Sequence, residues 1–534
     1  MFETLDWLVI AAYFVVLFGL AAWVIRKKHK SAADYFLAGR HVGWFVIGAS
    51  IFASNVGSEH IVGLAGSAAD SGLVLGHYEL HSWLCLMLGW VFVPFYLRSK
   101  VFTMPEFLER RYGSSSRWLL SVTMLISYVL TKISVTIFAG AIVCTTLLGV
   151  EFWMGASIIV VLTGIYTVLG GMRAVIYTEA MQAIVLILGS VIITITGLVE
   201  IGGWDNLIAS VGSEKLNMFK PADHPDYPWT GMIFAPPIVG LWYWCTDQYI
   251  VQRVLATDDE RTARHATIFA GYLKLLPFFI FMIPGLVALA LANSGKIQLD
   301  KADEAFPVLV QTLLPVGIRG LVAGGLLAAL MSSLASVFNS SSTLFTMDIY
   351  QKLRPATEAQ LVRVGRFTTL ALVGLGMLWV PFLQAIAEGQ LYQYLQKVQA
   401  YIAPPIAAVF FIGLFFRRIT ATAAVTTLVT GFVLGMVRLV TELNEVHFWF
   451  SDMNFLHFAI FLFIFSVSLL FTVSVFTAPP SEEQLNGLTY GTTMASDRAA
   501  SRASWTWVDV THSIVIVGLI LCILFYFSPL NFSS

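Results

Sequence analysis

The sequence predicts an all-α polytopic membrane protein of about 14 transmembrane helices, and three observations carry that prediction. Hydrophobic residues make up 57% of the 534-residue chain and charged residues only 12%, about half the charged share of a soluble domain. Apolar runs that reach the roughly 20 residues a helix needs to cross about 30 Å of hydrocarbon recur from one end to the other. Lysine and arginine gather in every second connection between those runs, as in a chain that keeps its cationic loops on one side of a bilayer. The runs are continuous rather than alternating with period two, which excludes a membrane β-barrel.

The first run, 5–25, follows Glu3 and Asp6 and precedes Arg26, Lys27, Lys28 and Lys30. Charges placed that way predict a retained anchor with its N-terminus outside, not a cleaved leader. Further helices are expected near 42–69, 76–97, 117–147, 152–170, 175–201, 230–251 and 265–293, then 316–350, 363–387, 391–416, 420–441, 455–478 and 507–529. Basic clusters mark the expected cytoplasmic ends: Arg40; Arg98, Lys100, Arg110, Arg111 and Arg117; Arg253, Arg261 and Arg264; Lys352, Arg354, Arg363 and Arg366; Arg417 and Arg418. The intervening connections carry Asp205, Asp223, Asp226, Asp303, Glu442 and Glu445 instead. A miscounted span would invert this alternation from that point on, so both termini are expected outside. Segment 202–229 reads as an external loop and 294–315 as carrying a short surface helix. The chain then divides into an extra helix (1–30), a core (31–418), two peripheral helices (419–478), a cytoplasmic linker (479–505) and a last helix (506–534).

Several function classes drop out. A net charge of −1 leaves no nucleic-acid footprint, and no phosphate-binding glycine loop or kinase or hydrolase motif is present, so no nucleotide partner is expected. Cys85, Cys144, Cys245 and Cys522 all fall in apolar segments without metal-ligand spacing and read as small buried hydrophobes.

What remains is polar chemistry inside lipid. The second span is interrupted by Ala53-Ser54-Asn55-Val56-Gly57-Ser58-Glu59-His60, where small and hydrogen-bonding residues weaken a helix centre. The seventh offers a second interruption, from Pro236-Pro237 to Thr246-Asp247-Gln248. Unwound helices near the bilayer midplane offer backbone carbonyls as ligands; small residues that only permit close packing are the competing account. In the ninth span Ala329, Ser332, Ser333 and Ser336 share one face. Their oxygens suit a loosely held monovalent cation, and the hydroxyls equally suit bonding back to their own helix. Lys132, Lys274 and Glu179 lie deep in apolar spans, where a central lysine costs about 2.5–3.5 kcal/mol unless a partner or wet cavity receives it. Glu79 stands nearer a helix end, from which it is able to snorkel, while Gln396 and Lys397 precede Pro404-Pro405.

Long stretches resemble the sodium/glucose cotransporter branch of the solute:sodium symporter family: Asp34-Tyr35-Phe36-Leu37-Ala38-Gly39-Arg40, Ile47-Gly48-Ala49-Ser50, the 53–60 run, Leu241-Trp242-Tyr243-Trp244-Cys245-Thr246-Asp247-Gln248, Gly271-Tyr272-Leu273-Lys274, Ser332-Ser333-Leu334 and Phe345-Thr346-Met347-Asp348-Ile349-Tyr350. The resemblance implies a LeuT-like 5+5 inverted repeat in spans two to eleven. It implies sodium held by the carbonyls of Ala53, Val56 and Ala329 with the hydroxyls of Ser332 and Ser333, and a possible second sodium at Glu179 and Ser336. It places a sugar against Asn55, His60, Glu79, Tyr243, Trp244, Lys274 and Gln396, with a gate of Leu64, Tyr78, Tyr392 and Tyr243. A hexose symporter without enzymatic activity is the implied function, with a myo-inositol or mannose-type carrier, or a sugar-gated sensor, as alternatives. Two positions depart from the family: Gly240 replaces a side chain that touches sugar, and Glu179 replaces an aspartate. Short external loops and few cysteines suggest a multi-pass protein of a bacterial inner membrane.

Overall fold

The computed structural model describes residues 2–25, 31–57, 59–386 and 391–532. Among them every regular element is helical. Eleven helices are long and apolar enough to cross a membrane, and Trp44–Asn55 and 152–165 are shorter apolar helices. The fourteen expected spans are recovered as α1 (Thr4–Ile25), α2a (Trp44–Asn55) with α2b (59–71), α3 (76–99), α4 (Ser114–Leu148), α5 (152–170), α6 (Gly171–Ile201), α7a (Trp229–Cys245) with α7b (Gln248–Val254) and α8 (Glu260–Asn293). They continue as α9 (Ile318–Leu353), α10 (Glu358–Ile386), α11 (Leu391–Phe415), α12 (Ala421–Leu443), α13 (Phe455–Phe476) and α14 (Trp507–Tyr526).

Spans and qualifying helices differ in number because spans two and seven are broken and the apolar helix of span five is short, although spans five and six run on as one helical stretch. That stretch, Phe152–Ile201, reverses at Gly171, whose φ of 56° and ψ of −164° leave the helical region. A Cβ there would lie 2.7 Å from the Tyr35 carbonyl oxygen, so both the turn and the close approach require glycine. The expected end of the tenth span at 387, Ser58, and the cationic cluster at 26–30 lie outside the described residues.

Contacts between helix ends test the threading. Asp6, at the start of α1, accepts from the backbone N–H of Gly317 (2.7 Å) and Gly320 (3.0 Å) and pairs with Arg319 (2.6 Å), so it caps the start of α9. Thr230 at the start of α7a meets His457 at the start of α13 at 2.9 Å. At the opposite end, His265 near the start of α8 pairs with Asp509 near the start of α14 at 2.9 Å. Spans one and nine thus start together, as do spans seven and thirteen, and spans eight and fourteen start together at the far end of the seventh. The short helix Ala495–Ala503 in the 479–505 linker docks there through Arg264 on Ser504 (2.5 Å).

Burial separates core from periphery. The most apolar stretch of α9 is 94% buried, against 17% for α14. Three cysteines are buried as expected, but Cys522 is exposed because α14 packs on the outside of the bundle. α9 packs on α6 and α2a, and α2b on α11, so the first break faces the most enclosed helices.

Candidate functional site

At the first break α2a ends at Asn55, and Val56 (φ −84°, ψ 86°) leaves the helix. The Gly57 N–H, which would bond the Ala53 carbonyl in a continuous helix, turns to the Asn55 carbonyl at 3.1 Å. The His60 N–H, which would serve Val56, goes to the Gly57 carbonyl at 3.1 Å. Two carbonyls thereby lose their helical donors. They are two of the three carbonyls that the resemblance implicated in cation binding. α9 presses against this gap: a Cβ on Gly57 would lie 2.3 Å from Ser333 Oγ. Ser333 donates to the Ala329 carbonyl at 3.2 Å, and the buried Ser332 hydroxyl has no hydrogen-bond partner. Neutral hard oxygens with an orphaned hydroxyl fit a sodium ion that binds and later leaves.

The second break lies at Thr246–Asp247. Asp247 caps α7b by accepting from Tyr249 N–H at 3.3 Å, and it also accepts from the Tyr128 hydroxyl. The Tyr249 hydroxyl reaches back to the Ser54 carbonyl, so the inner half of the seventh span is tied to the first break.

Between the breaks lies a pocket whose cavity volume is ≈ 40 Å³, contracted in this arrangement to room for a few waters. Asn55, His60, Tyr78, Glu79, Tyr243, Trp244, Lys274, Tyr392 and Gln396 all line it, and all are buried. Glu79 is the hub. It pairs with Lys274 at 2.5 Å and with His60 at 3.3 Å, and accepts from the Tyr392 hydroxyl at 2.8 Å. This corrects the snorkelling alternative: Glu79 is 0% exposed and held inward by Lys274. The Tyr392 and Tyr78 rings meet edge to face at 6.3 Å, while Tyr243 and Trp244 form a second edge-to-face pair at 5.1 Å. Leu64 is fully buried, in the wide turn over 59–64, and is not among the residues that line the pocket.

Besides His60 Nε2, which makes no hydrogen bond but faces Glu79 at 3.3 Å, four polar atoms of the lining have no hydrogen-bond partner: Asn55 Oδ1, His60 Nδ1, Tyr78 Oη and Gln396 Oε1. Each such buried group costs about 1–3 kcal/mol unless a ligand or water meets it. A cluster of acceptors and donors beside two aromatic faces suits a small polyhydroxylated ring.

Glu59, His81, Lys132 and Gln399 also line the pocket and were not assigned from sequence. Lys132 was visible as a buried charge, but its partner Glu59 lies 73 positions earlier, and pairing at that separation has no local signature. His81 explains the Gly240 departure. A Cβ at Gly240 would meet Leu84 Cδ1 at 2.5 Å and His81 Nδ1 at 2.8 Å, so the histidine fills the space a side chain would take.

Glu179 and Ser336 meet, but away from the pocket. Glu179 accepts from the hydroxyls of Ser50, Ser336 and Ser54 (3.0 Å for the last) and pairs with Arg253 at 2.9 Å. Lys397 faces Glu442 at 3.2 Å and is half-buried, apart from both sites.

The profile of the sodium:solute symporter family matches residues 35–431. The chain belongs to the sodium:solute symporter family. Sodium/glucose cotransporter 1 of Ovis aries is 38% identical over 89% of this chain and 79% of its own length. Sodium/myo-inositol cotransporter 2 of Bos taurus is 39% identical over 92% of this chain and 79% of its own. Among solved structures, a substrate-bound, outward-open Na+-coupled sialic acid symporter superposes with a TM-score of 0.77 at 21% identity, covering 90% of this chain and all of that one. Mhp1, a nucleobase-cation-symport-1 family transporter, superposes at 0.53 and 14% identity over 86% of this chain and 99% of its own. This symporter therefore has the LeuT-like core, with the two broken helices in equivalent places of its repeats.

Proposed function

We propose that this symporter couples inward sodium movement to uptake of a hexose by alternating access, without chemical change to the sugar. The observation that carries the reading is the adjacency of two things: freed carbonyls with an orphaned hydroxyl at the α2–α9 contact, and an occluded pocket with four unpaired polar atoms around the Glu79–Lys274 pair. Sodium in the Ala53, Val56, Ala329, Ser332 and Ser333 cradle braces the broken span against α9. That brace shapes Asn55 and His60, which stand on either side of the break. Tyr78 and Tyr392 then cover the sugar, and movement of Tyr243 opens the opposite side. One sodium falling through 100 mV provides about 2.3 kcal/mol, and a tenfold gradient about 1.4, enough to hold a sugar ratio of several hundredfold.

The cationic ends are assigned to the cytoplasm and both termini to the outside, in a bacterial inner membrane. A myo-inositol or related polyol carrier is the second reading. It is favoured by relatives named for inositol at about the same identity as those named for glucose.

Labelled-sugar uptake into proteoliposomes, with and without an inward sodium gradient, tests the coupling. Accumulation only with the gradient is expected, and gradient-independent uptake would discard it. Competition by glucose, galactose, mannose and myo-inositol then separates the two readings.

A further inference from the structure

Two charges in the pocket are paired with each other rather than offered to a ligand. Lys132 Nζ lies 2.7 Å from Glu59 Oε1, and the two side chains are 5% and 3% exposed. The same ammonium stands 3.4 Å from the Tyr243 hydroxyl and 4.6 Å above its ring, with the Tyr249 ring 5.2 Å away. It therefore sits against the aromatic floor of the pocket. The other Glu59 oxygen faces a different way. Oε2 and Ser333 Oγ lie 2.9 Å and 2.3 Å from one point, the place where a Cβ on Gly57 would stand. One carboxylate thus holds the pocket's lysine with one oxygen and borders the cation cradle with the other.

We propose that the Glu59–Lys132 pair is the link through which sodium sets sugar affinity, a role that rests on the sodium-coupled sugar reading above. The cradle's own ligands are neutral oxygens, so the nearest carboxylate dominates its field. A cation arriving beside Ser333 draws on Glu59 Oε2 and weakens the carboxylate's hold on Lys132. An ammonium N–H is then released against Tyr243 to donate to a sugar hydroxyl. Sugar that engages Lys132 in turn leaves Glu59 freer to attract sodium, which is the reciprocity that coupling between two sites demands. Glycine at position 57 keeps the arrangement compact, since any side chain would separate Ser333 from the carboxylate.

The pair makes opposite predictions for its two members. In Lys132→Met the carboxylate is unopposed beside the cradle, and the sodium concentration for half-maximal effect falls by about tenfold or more, given how strongly unit charges a few Å apart interact at an effective dielectric of about 20. In Glu59→Gln the ammonium is unopposed, and the same quantity rises by about tenfold or more. The double variant Glu59→Gln/Lys132→Met returns sodium affinity to within about threefold of the parent, but its sugar affinity no longer responds to sodium. The readout is equilibrium binding of radiolabelled glucose and myo-inositol to the purified full-length protein, titrated with sodium against a choline background. A pair that only stabilises the fold would shift both single variants in one direction, and that result overturns the proposal. Where a single variant does not accumulate in the membrane, the double variant decides alone, because it buries no unpaired charge. If it keeps the parent's sodium dependence of sugar binding, the link is refuted. Parent protein that binds sugar equally with and without sodium would overturn the coupled reading itself, and the link with it.

Discussion

Glu79 and Glu179 are both fully buried carboxylates, paired with Lys274 and Arg253 respectively, yet their surroundings differ in a way that separates ligand site from scaffold. Around Glu179 the hydroxyls of Ser50, Ser54 and Ser336 and the Arg253 guanidinium converge on the carboxylate oxygens. Around Glu79 the carboxylate is also engaged, but its neighbours Asn55, His60, Tyr78 and Gln396 each leave a polar atom unpaired on the pocket side. Burial and charge alone do not tell the two apart. The number of unpaired atoms does: four face the pocket around Glu79, against Arg253 Nε alone among the partners of Glu179, and such atoms gain on meeting a ligand.

Breaking each cluster should therefore fail in a different currency. Arg253→Met leaves Glu179 buried without its cation, and the expected cost is about 3–5 kcal/mol of stability. Thermal unfolding in detergent reads this as a large drop in melting temperature, with little change in sugar affinity for whatever protein remains folded. Lys274→Ala is the smaller change overall but the larger one for function. Removing the donor beside Glu79 should raise the sugar concentration for half-maximal binding by about 100-fold, the scale on which a site rejects a ligand that leaves a buried group unpaired. Sodium binding measured without sugar should stay within about threefold of the parent. If Lys274→Ala lowers the melting temperature as much as Arg253→Met and spares sugar affinity, the distinction between the two clusters fails.

Much of this was legible in the sequence. Composition and the alternation of basic connections specify the spans, because a lipid-facing helix has no other way to satisfy its backbone. Asn55 and Gly57 in mid-span announce the first break, and the structure puts nine of the quoted sugar and gate residues on one pocket. What was not legible depends on distance along the chain. Glu59 was in a quoted motif and Lys132 was noted as an isolated charge, but only the fold brings them to 2.7 Å. Arg253 reads as one more cytoplasmic basic residue until the second break carries it inward to Glu179.

The comparison sharpens further at a third buried carboxylate, outside the spans. Asp303 lies in the connection between α8 and α9, at the end assigned to the outside, and is 2% exposed. Its Oδ2 accepts from the backbone N–H of Leu391 at the start of α11, one residue before Tyr392, which we propose as part of the gate, at 3.4 Å. Its Oδ1 has no hydrogen-bond partner and sits 2.6 Å from where a Cβ on Gly66 of α2b would stand. Burial pushes its carboxyl up to about 8, against the lowering effects of Leu391 N–H and Lys301, while Asp70 and Glu304 push the same way as burial. A raised acid holds its proton more tightly in this closed arrangement than when hydrated near its ordinary value of 3.8. Protonation therefore favours closure. The contribution is complete below about pH 4, shrinks as pH rises through the window, and is gone above about 8, with a limiting slope of roughly tenfold per pH unit. Other steps of the cycle dilute that slope, so the expected effect on uptake is a few-fold between external pH 6.5 and 8.5, the smallest of the three. Asp303→Asn, neutral at every pH, should flatten the profile measured in vesicles with fixed internal pH. Parallel profiles for the parent and this variant would show that the carboxylate, however buried, does not report on the gate.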